Sequence, residues 1–372
     1  MSTTAEAPTF VAASTRLRLS DLVPYDEFRV ARLALMFEFL FIYLWWLRIM
    51  GLPVDRISVA ISVGIFLVCA FIGRSWRTWG VLLLDCLAYS VMWWTYEATR
   101  GAADDGIGVL GLFRIKFPRQ VDSMRDIDRV MFFGNDPNVV LQDHFWEPSV
   151  RWYDVVASTT YMTHFVLPII TMAVLWVVSR RQWVRFMKRF ATLLGVACVL
   201  FVLLPTVPPW MAAEQYDLFG RLHRDAGRGF RHLGFKGFVN DYHIALSNGN
   251  AVAAMPSLHA SFAFVVPLFF FEWIRRRWVK AALLLFPVTM LASLVYLGEH
   301  WVIDGLVGWG ITAGAFWFWN RMEQRTRSVR SLRAREGFPM AAALRQPLDD
   351  RLPAEQFPSD QFSSDQFTTA SQ

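Results

Sequence analysis

Long apolar runs separated by short basic clusters dominate this chain. The runs are too uniformly apolar to be the half-polar helices of a soluble domain. Leu33–Met50, Ile57–Gly73, Trp79–Tyr96, Val155–Val178, Phe190–Leu204, Ser257–Ile274, Ala281–Leu297 and His300–Trp319 are the candidates, each near the ~20 residues that cross a hydrocarbon core of ~30 Å. The pattern predicts an all-α fold: a polytopic membrane helix bundle of about eight transmembrane helices. The expected division is an N-terminal arm (1–32), two accessory transmembrane helices (33–78), a core of about six helices (79–320) and a polar tail (321–372). Two long loops interrupt the core, at 97–154 and 205–255. The first contains Asp126–Leu141, whose apolar positions recur at helical spacing up to Gly134-Asn135-Asp136-Pro137. That spacing predicts an interfacial helix followed by a turn.

Composition agrees with the membrane reading: 55% of residues are hydrophobic and only 18% charged, where a soluble domain carries about a quarter. The formal charge of +6 would suggest nucleic acid in a soluble protein. Here the basic residues punctuate helix ends, so topology accounts for them and no nucleic-acid partner is expected. Cys69, Cys86 and Cys198 lie inside apolar runs, as small buried hydrophobes rather than a disulfide framework. The N-terminal stretch Met1–Asp26 is polar and shows no cleavable-signal pattern. At the other end Glu355-Gln356-Phe357, Asp360-Gln361-Phe362 and Asp365-Gln366-Phe367 repeat in a polar stretch that cannot bury a core, which predicts a disordered tail.

Loop charge then orients the bundle. Arg74 and Arg77, the run Arg180 to Arg189, the run Arg275 to Lys280 and the stretch after Arg321 fall on one face. The positive-inside rule makes that face cytoplasmic, with both termini inside, Arg48 and Arg56 being exceptions. The expected location is the plasma membrane, and both long loops and the turn at Gly298 face outward.

Two strings on that outward side carry the chemistry: Met255-Pro256-Ser257-Leu258-His259-Ala260-Ser261 and Gly298-Glu299-His300-Trp301-Val302-Ile303-Asp304. Pro256 suits the first turn of a helix, which puts His259 at a helix start. His300 is expected at the corresponding place on the last helix, with Asp304 one turn deeper on the same face. A carboxylate there holds one imidazole nitrogen and leaves the other to attack phosphorus. His300, His259 and two helix N-termini together supply a nucleophile, an acid and donors for phosphate oxygens. Two readings stay open beside this one. The histidines are polar interfacial residues, or His259, His300, Asp304 and Glu299 bind zinc.

Pro256-Ser257-Leu258-His259 and His300-x-x-x-Asp304 resemble the second and third signatures of the type 2 phosphatidic acid phosphatase superfamily. Leu258, where lipid phosphatases usually have glycine, and Pro205-Thr206-Val207-Pro208-Pro209-Trp210 are similar to the inositol phosphorylceramide synthase, or inositolphosphotransferase-like, branch. The resemblance covers about Trp79 to Trp319. It implies a catalytic six-helix core, with His300 as nucleophile, His259 as acid and Asp304 as the partner of His300. It implies no metal and no cofactor.

Two positions depart from the pattern. Leu294 stands where the third signature has arginine, and the lysine and Arg-Pro of the first signature have no clear match. Substrate phosphate is therefore expected to meet Ser257 and loop cations, among them Arg151, Arg221, Arg224 and Arg228, with Arg231 and Lys236 on the same side. The activity implied is transfer of a phosphorylated head group between lipid-linked donor and acceptor. The alternatives are hydrolysis of a lipid or polyprenyl phosphate, with water as acceptor, and a transporter using Glu38, Asp85 and His164. For these three intramembrane groups interhelical hydrogen bonding is expected. His164 lies about 15 Å along its helix, too deep for a shared cluster.

Overall fold

The computed structural model describes residues 26–50, 56–105, 107–109, 113–220, 222–234 and 252–335. The expected arm at 1–25, Arg221, Lys236 and the repeats beyond 335 lie outside them. Three long helices come first: α1 (Arg29–Met50), α2 (Arg56–Phe71) and α3 (Trp76–Asp105). A short antiparallel hairpin, β1 (Ile107–Val109) and β2 (Phe113–Ile115), leads to α4 (Asp122–Met131) and α5 (Pro137–Phe145). Then come α6 (Trp152–Val178), α7 (Arg180–Leu203), α8 (Pro209–Tyr216), α9 (Arg228–His232), α10 (Leu258–Phe270), α11 (Arg277–Tyr296) and α12 (Val302–Arg335). All eight apolar runs are thus largely helical, and the loop at 126–141 is a helix, a turn and a helix.

Length and apolarity separate these helices. Arg29–Ile49, Arg180–Leu203, Arg277–Tyr296 and Val302–Thr326 are long and apolar enough to cross a membrane. A fifth span results if the halves of α6, Trp152–His164 and Val166–Trp176, count as one despite a bend of 45°. Pro168 follows the bend and removes an intrahelical donor there. The chain is a membrane protein, while the expected count of about eight spans is not reached on these criteria among the described residues. α10 shows why: Pro267 lies within it and it ends at Phe270, so its 13 residues reach only ~20 Å.

The chain forms two compact units, Met1–Trp317 and Phe318–Gln372. In the second, helix continues to Arg335, so 321–335 is helical where a disordered tail was expected. Arginines and serines there stay compatible with helix as long as no Gly or Pro intervenes.

The interior of the first unit centres on α7. Phe186, Phe190, Leu193, Leu194, Ala197 and Phe201 are buried and recur at three- and four-residue intervals, the stripe of a helix with one packed face. Phe190 stacks on Phe262 of α10 at 4.9 Å, and Tyr96 of α3 meets Phe201 at 6.2 Å. Between membrane helices this interlocking of shape does the work that exclusion of water does in soluble cores. The Arg180 guanidinium grips Asp85 of α3 through two bonds of 2.8 Å, and the Trp176 indole donates to the same carboxylate. Asp85 therefore makes the expected interhelical bonds, whereas Glu38 is on an exposed face of α1.

Candidate active site

Glycines bring the two histidine-bearing segments together. A Cβ on Gly308 of α12 would lie 2.5 Å from Ser261 Oγ and 2.6 Å from the Ser257 carbonyl oxygen. Contact that close between α12 and the start of α10 is possible only without a side chain. The two segments are also bonded directly, since the Ser257 N–H donates to the Asp304 carbonyl at 3.0 Å. Ser257 caps α10, its Oγ accepting from the Ala260 N–H. Pro256 consequently precedes the cap rather than lying in the first turn, where the sequence reading placed it. The serine hydroxyl expected on substrate accepts the Ala260 N–H at 3.3 Å, which leaves its own O–H to donate.

His259 lies in the first turn of α10, and its Nδ1 is 3.0 Å from His300 Nε2. His300 Nδ1 is 3.3 Å from Asp304 Oδ2, which also accepts the Trp301 N–H at 3.0 Å. With both rings neutral, one proton assignment satisfies these contacts: His300 Nδ1–H donates to Asp304, and His259 Nδ1–H donates to the lone pair on His300 Nε2. His300 is nearly buried, Asp304 fully buried and His259 partly open. The sequence reading put His300 in the last helix, but α12 begins at Val302 and leaves it outside. It sits in the preceding turn, made by Gly298 at φ +70°, a conformation that L side chains resist.

Several groups clamp that turn. Asn138 Nδ2 donates to the Val295 and His300 carbonyls at 2.8 and 3.1 Å. Gln142 Nε2 donates to Tyr296 O and His223 O. The Trp210 N–H donates to Gly298 O at 3.0 Å, and buried Trp301 donates its indole N–H to Val207 O at 2.8 Å. The proline-rich string at 205–210 is thus the backing of the turn that carries His300. At the start of α12 the Asp128 carboxylate of α4 accepts from Val302 N–H at 2.8 Å and Ile303 N–H at 3.0 Å. These helix-start donors, expected to meet phosphate, are already bonded to a carboxylate. Burial pushes the Asp128 carboxyl up to about 6, with the nearby Asp304 charge adding and the two N–H donors opposing.

The structure separates the expected cations. Arg224 comes to the His300 segment: its Nε is 3.0 Å from Glu299 Oε1 and its guanidinium lies 3.9 Å over the Trp210 ring. Arg228 is buried elsewhere, against Asp154 at 3.5 Å, the carbonyls of Glu147 and Ser149 and the Trp146 ring. Exposed Arg151 pairs with Glu147. Leu294, where an arginine was expected, is fully buried among apolar neighbours.

His164 corrects the sequence reading. Its ring centroid is 3.9 Å from that of His259, and Tyr161 stacks on the other histidine at 4.9 Å. Its Nδ1 contacts the Tyr161 carbonyl of its own helix. Depth along α6 misled because α10 does not start level with α6. Sequence reasoning also missed Asp128, Asn138, Gln142 and Trp301. For the first three only a polar side chain inside a loop helix could have marked them, a weak signal, while Trp301 stood within the His300 string with no role read for it. Among the described residues no group of three or more His, Cys, Asp or Glu side chains is placed to hold a metal ion, and the Glu299 carboxylate is engaged by Arg224.

Two histidines, a buried aspartate behind one of them and a neighbouring arginine are groups of the kinds that phosphoryl transfer requires. The family model of the PAP2 superfamily matches residues 126–318, just over half the chain, and the chain belongs to that superfamily. Its members are phosphatases or phosphotransferases acting on lipid phosphates, and this chain is a membrane enzyme of that broad class. The match begins inside α4 and leaves α3 out, a narrower span than the Trp79 to Trp319 of the sequence resemblance. No curated protein and no solved structure matches the chain.

Proposed function

We propose that the protein transfers a phosphorylated head group, of the inositol-phosphate kind, between lipid-linked donor and acceptor through a phosphohistidine on His300. The observation that carries this reading is the line from Asp304 Oδ2 through His300 to His259, with contacts of 3.3 and 3.0 Å. It leaves the His300 Nε2 lone pair as nucleophile and a proton on the facing ring. In the first half-reaction Nε2 bonds to phosphorus as the ester P–O bond breaks, and His259, protonated on both nitrogens once the anionic phosphate is bound, gives one proton to the leaving oxygen and becomes neutral. Phosphorus takes the place of the present His259 contact, so the partly open His259 ring turns aside toward that oxygen. In the second half an acceptor hydroxyl attacks phosphorus, yields its proton to His259, and the N–P bond breaks. Asp304 steadies the imidazolium-like His300.

Arg224 is the cation we assign to the phosphate oxygens, with Glu299 and Trp210 setting its position; Arg228 and Arg151 are engaged at the α5–α6 corner. The branch-like string at 205–210 favours a lipid acceptor over water, with water as the second reading. The core is proposed to be six helices, with α1 and α2 accessory to it. The site is proposed to face outward from the plasma membrane, with both termini cytoplasmic.

Purified protein incubated with phospholipids labelled in the head-group phosphate tests the reading. Label should move to an added lipid alcohol and, transiently, to protein in an acid-labile, base-stable form. His300→Ala should remove both, and a variant keeping more than a tenth of the rate, a loss of only ~1.4 kcal/mol, overturns the assignment.

A further inference from the structure

The α4–α5 elbow displays a bulky aromatic side chain where the backbone disfavours one. Phe133 is 97% exposed at φ 54°, and the neighbouring Val130 is 81% exposed, with Ile127 and Phe132 also open. A positive φ on an aromatic residue is an outlier that persists only where its surroundings hold it. They do so here. Gly134 N–H donates to Arg129 O at 2.7 Å, and Arg129 Nε donates back to Gly134 O at 3.0 Å. Asn135 Nδ2 donates to Phe132 O, and Arg125 pairs with Asp136 at 2.7 Å across the turn. The elbow is a braced turn with an apolar tip.

Its position follows from one contact. Asp128, buried where Ile127 and Val130 of the same helix are exposed, holds the N–H groups of Val302 and Ile303. These are the first residues of α12, whose Val302–Thr326 stretch is long and apolar enough to span a membrane. The elbow therefore stands where α12 enters the bilayer, at the level of the head groups, and an apolar tip there borders lipid. Water on every side of Phe133 and Val130 would leave the strained turn without compensation.

We propose that the tip formed by Val130, Phe132 and Phe133 inserts into the boundary between head groups and acyl chains, and that it presents lipid phosphates to the adjoining catalytic turn. The occupant is the bilayer surface itself, and the inference rests on the reading that the substrate is a lipid phosphate. Asp128 links the two ends: the helix that carries the tip also holds the start of α12, two residues beyond His300.

Two measurements on the full chain in phosphatidylcholine nanodiscs decide the matter. Spin labels are placed one at a time at 133 and at 126, after replacement of Cys69, Cys86 and Cys198. The label at 133 should be relaxed by oxygen and shielded from a water-soluble nickel chelate, and that at 126 should show the reverse. A label at 133 as open to the chelate as that at 126 overturns the proposal. This readout does not depend on turnover, so it stands even if no phosphate transfer is found. The second measurement uses Phe133→Asn, since asparagine tolerates positive φ and should leave the fold intact. It should raise the apparent KM for a long-chain lipid phosphate in the bilayer about tenfold while leaving turnover of p-nitrophenyl phosphate unchanged. Equal loss on both substrates, or on neither, refutes the wedge; absence of turnover on either substrate by the parent protein refutes the enzymatic reading instead.

Discussion

At the scale of single residues, the two histidines differ in what surrounds them, and that difference supports the proposed division of roles. His300 is nearly buried and bonded to Asp304, which fixes its tautomer, while His259 is partly open and backed by the rings of His164 and Tyr161. A fixed ring suits nucleophilic attack, and a ring free to turn suits proton delivery. With His259→Ala the rate on alkyl phosphates should fall by about 10²–10⁴, the usual contribution of a general acid. An aryl phosphate, whose leaving group needs little protonation, should recover most of that loss. Equal damage on both substrates would assign His259 another task. Trp301 is just as revealing, since its indole bond to Val207 ties the catalytic turn to a proline-rich string.

At the scale of elements, the site depends on how closely α12 approaches α10. A methyl on Gly308 would meet the Ser257 backbone carbonyl at 2.6 Å, whereas one on Gly310 meets nothing within 4 Å. Gly308→Ala should therefore part the His259–His300 contact and remove most activity. Gly310→Ala should keep activity and match or exceed the parent in thermal stability, by up to ~1 kcal/mol from helix propensity. Comparable rates for the two variants would show that the approach is not needed.

Asp128 gives the same helix start a pH dependence. Its folded carboxyl titrates at about 6, above the ordinary value of 3.8. The folded protein thus holds that proton more tightly than the unfolded chain. The resulting stabilisation is complete below about pH 4 and declines as pH rises through about 6. Over that window it amounts to about 3 kcal/mol at most. The melting temperature of the parent relative to Asp128→Asn should accordingly fall between pH 4 and pH 7. A difference that stays flat across the window would refute the shifted carboxyl.

At the scale of the whole molecule, the proposed orientation, read from the charge pattern of the loops, has a direct test. Outward-facing histidine segments require Asn135, exposed beside the α4–α5 turn, to lie outside the cell, and Ser328 on α12 to lie inside. In a variant lacking the native cysteines, a cysteine at Asn135 should react with a membrane-impermeant maleimide in intact cells. One at Ser328 should react only after permeabilisation. The opposite pattern would move the chemistry to the cytoplasmic leaflet.

Local sequence by itself determined the helical segments, the membrane character and the pair His259 and His300 with Asp304. Apolar length, helix-breaking prolines and an i, i+4 spacing all act over a few residues and need no partner to be read. Only the tertiary structure decided the rest. It brought His164 beside His259, turned Asp128 from a loop residue into the cap of α12, engaged Ser257 at a helix start and set Arg224 against Glu299, next to His300. Each of these depends on where one helix stands along another. That placement comes from steric fit at positions such as Gly308, and neither periodicity nor spacing within a single helix encodes it.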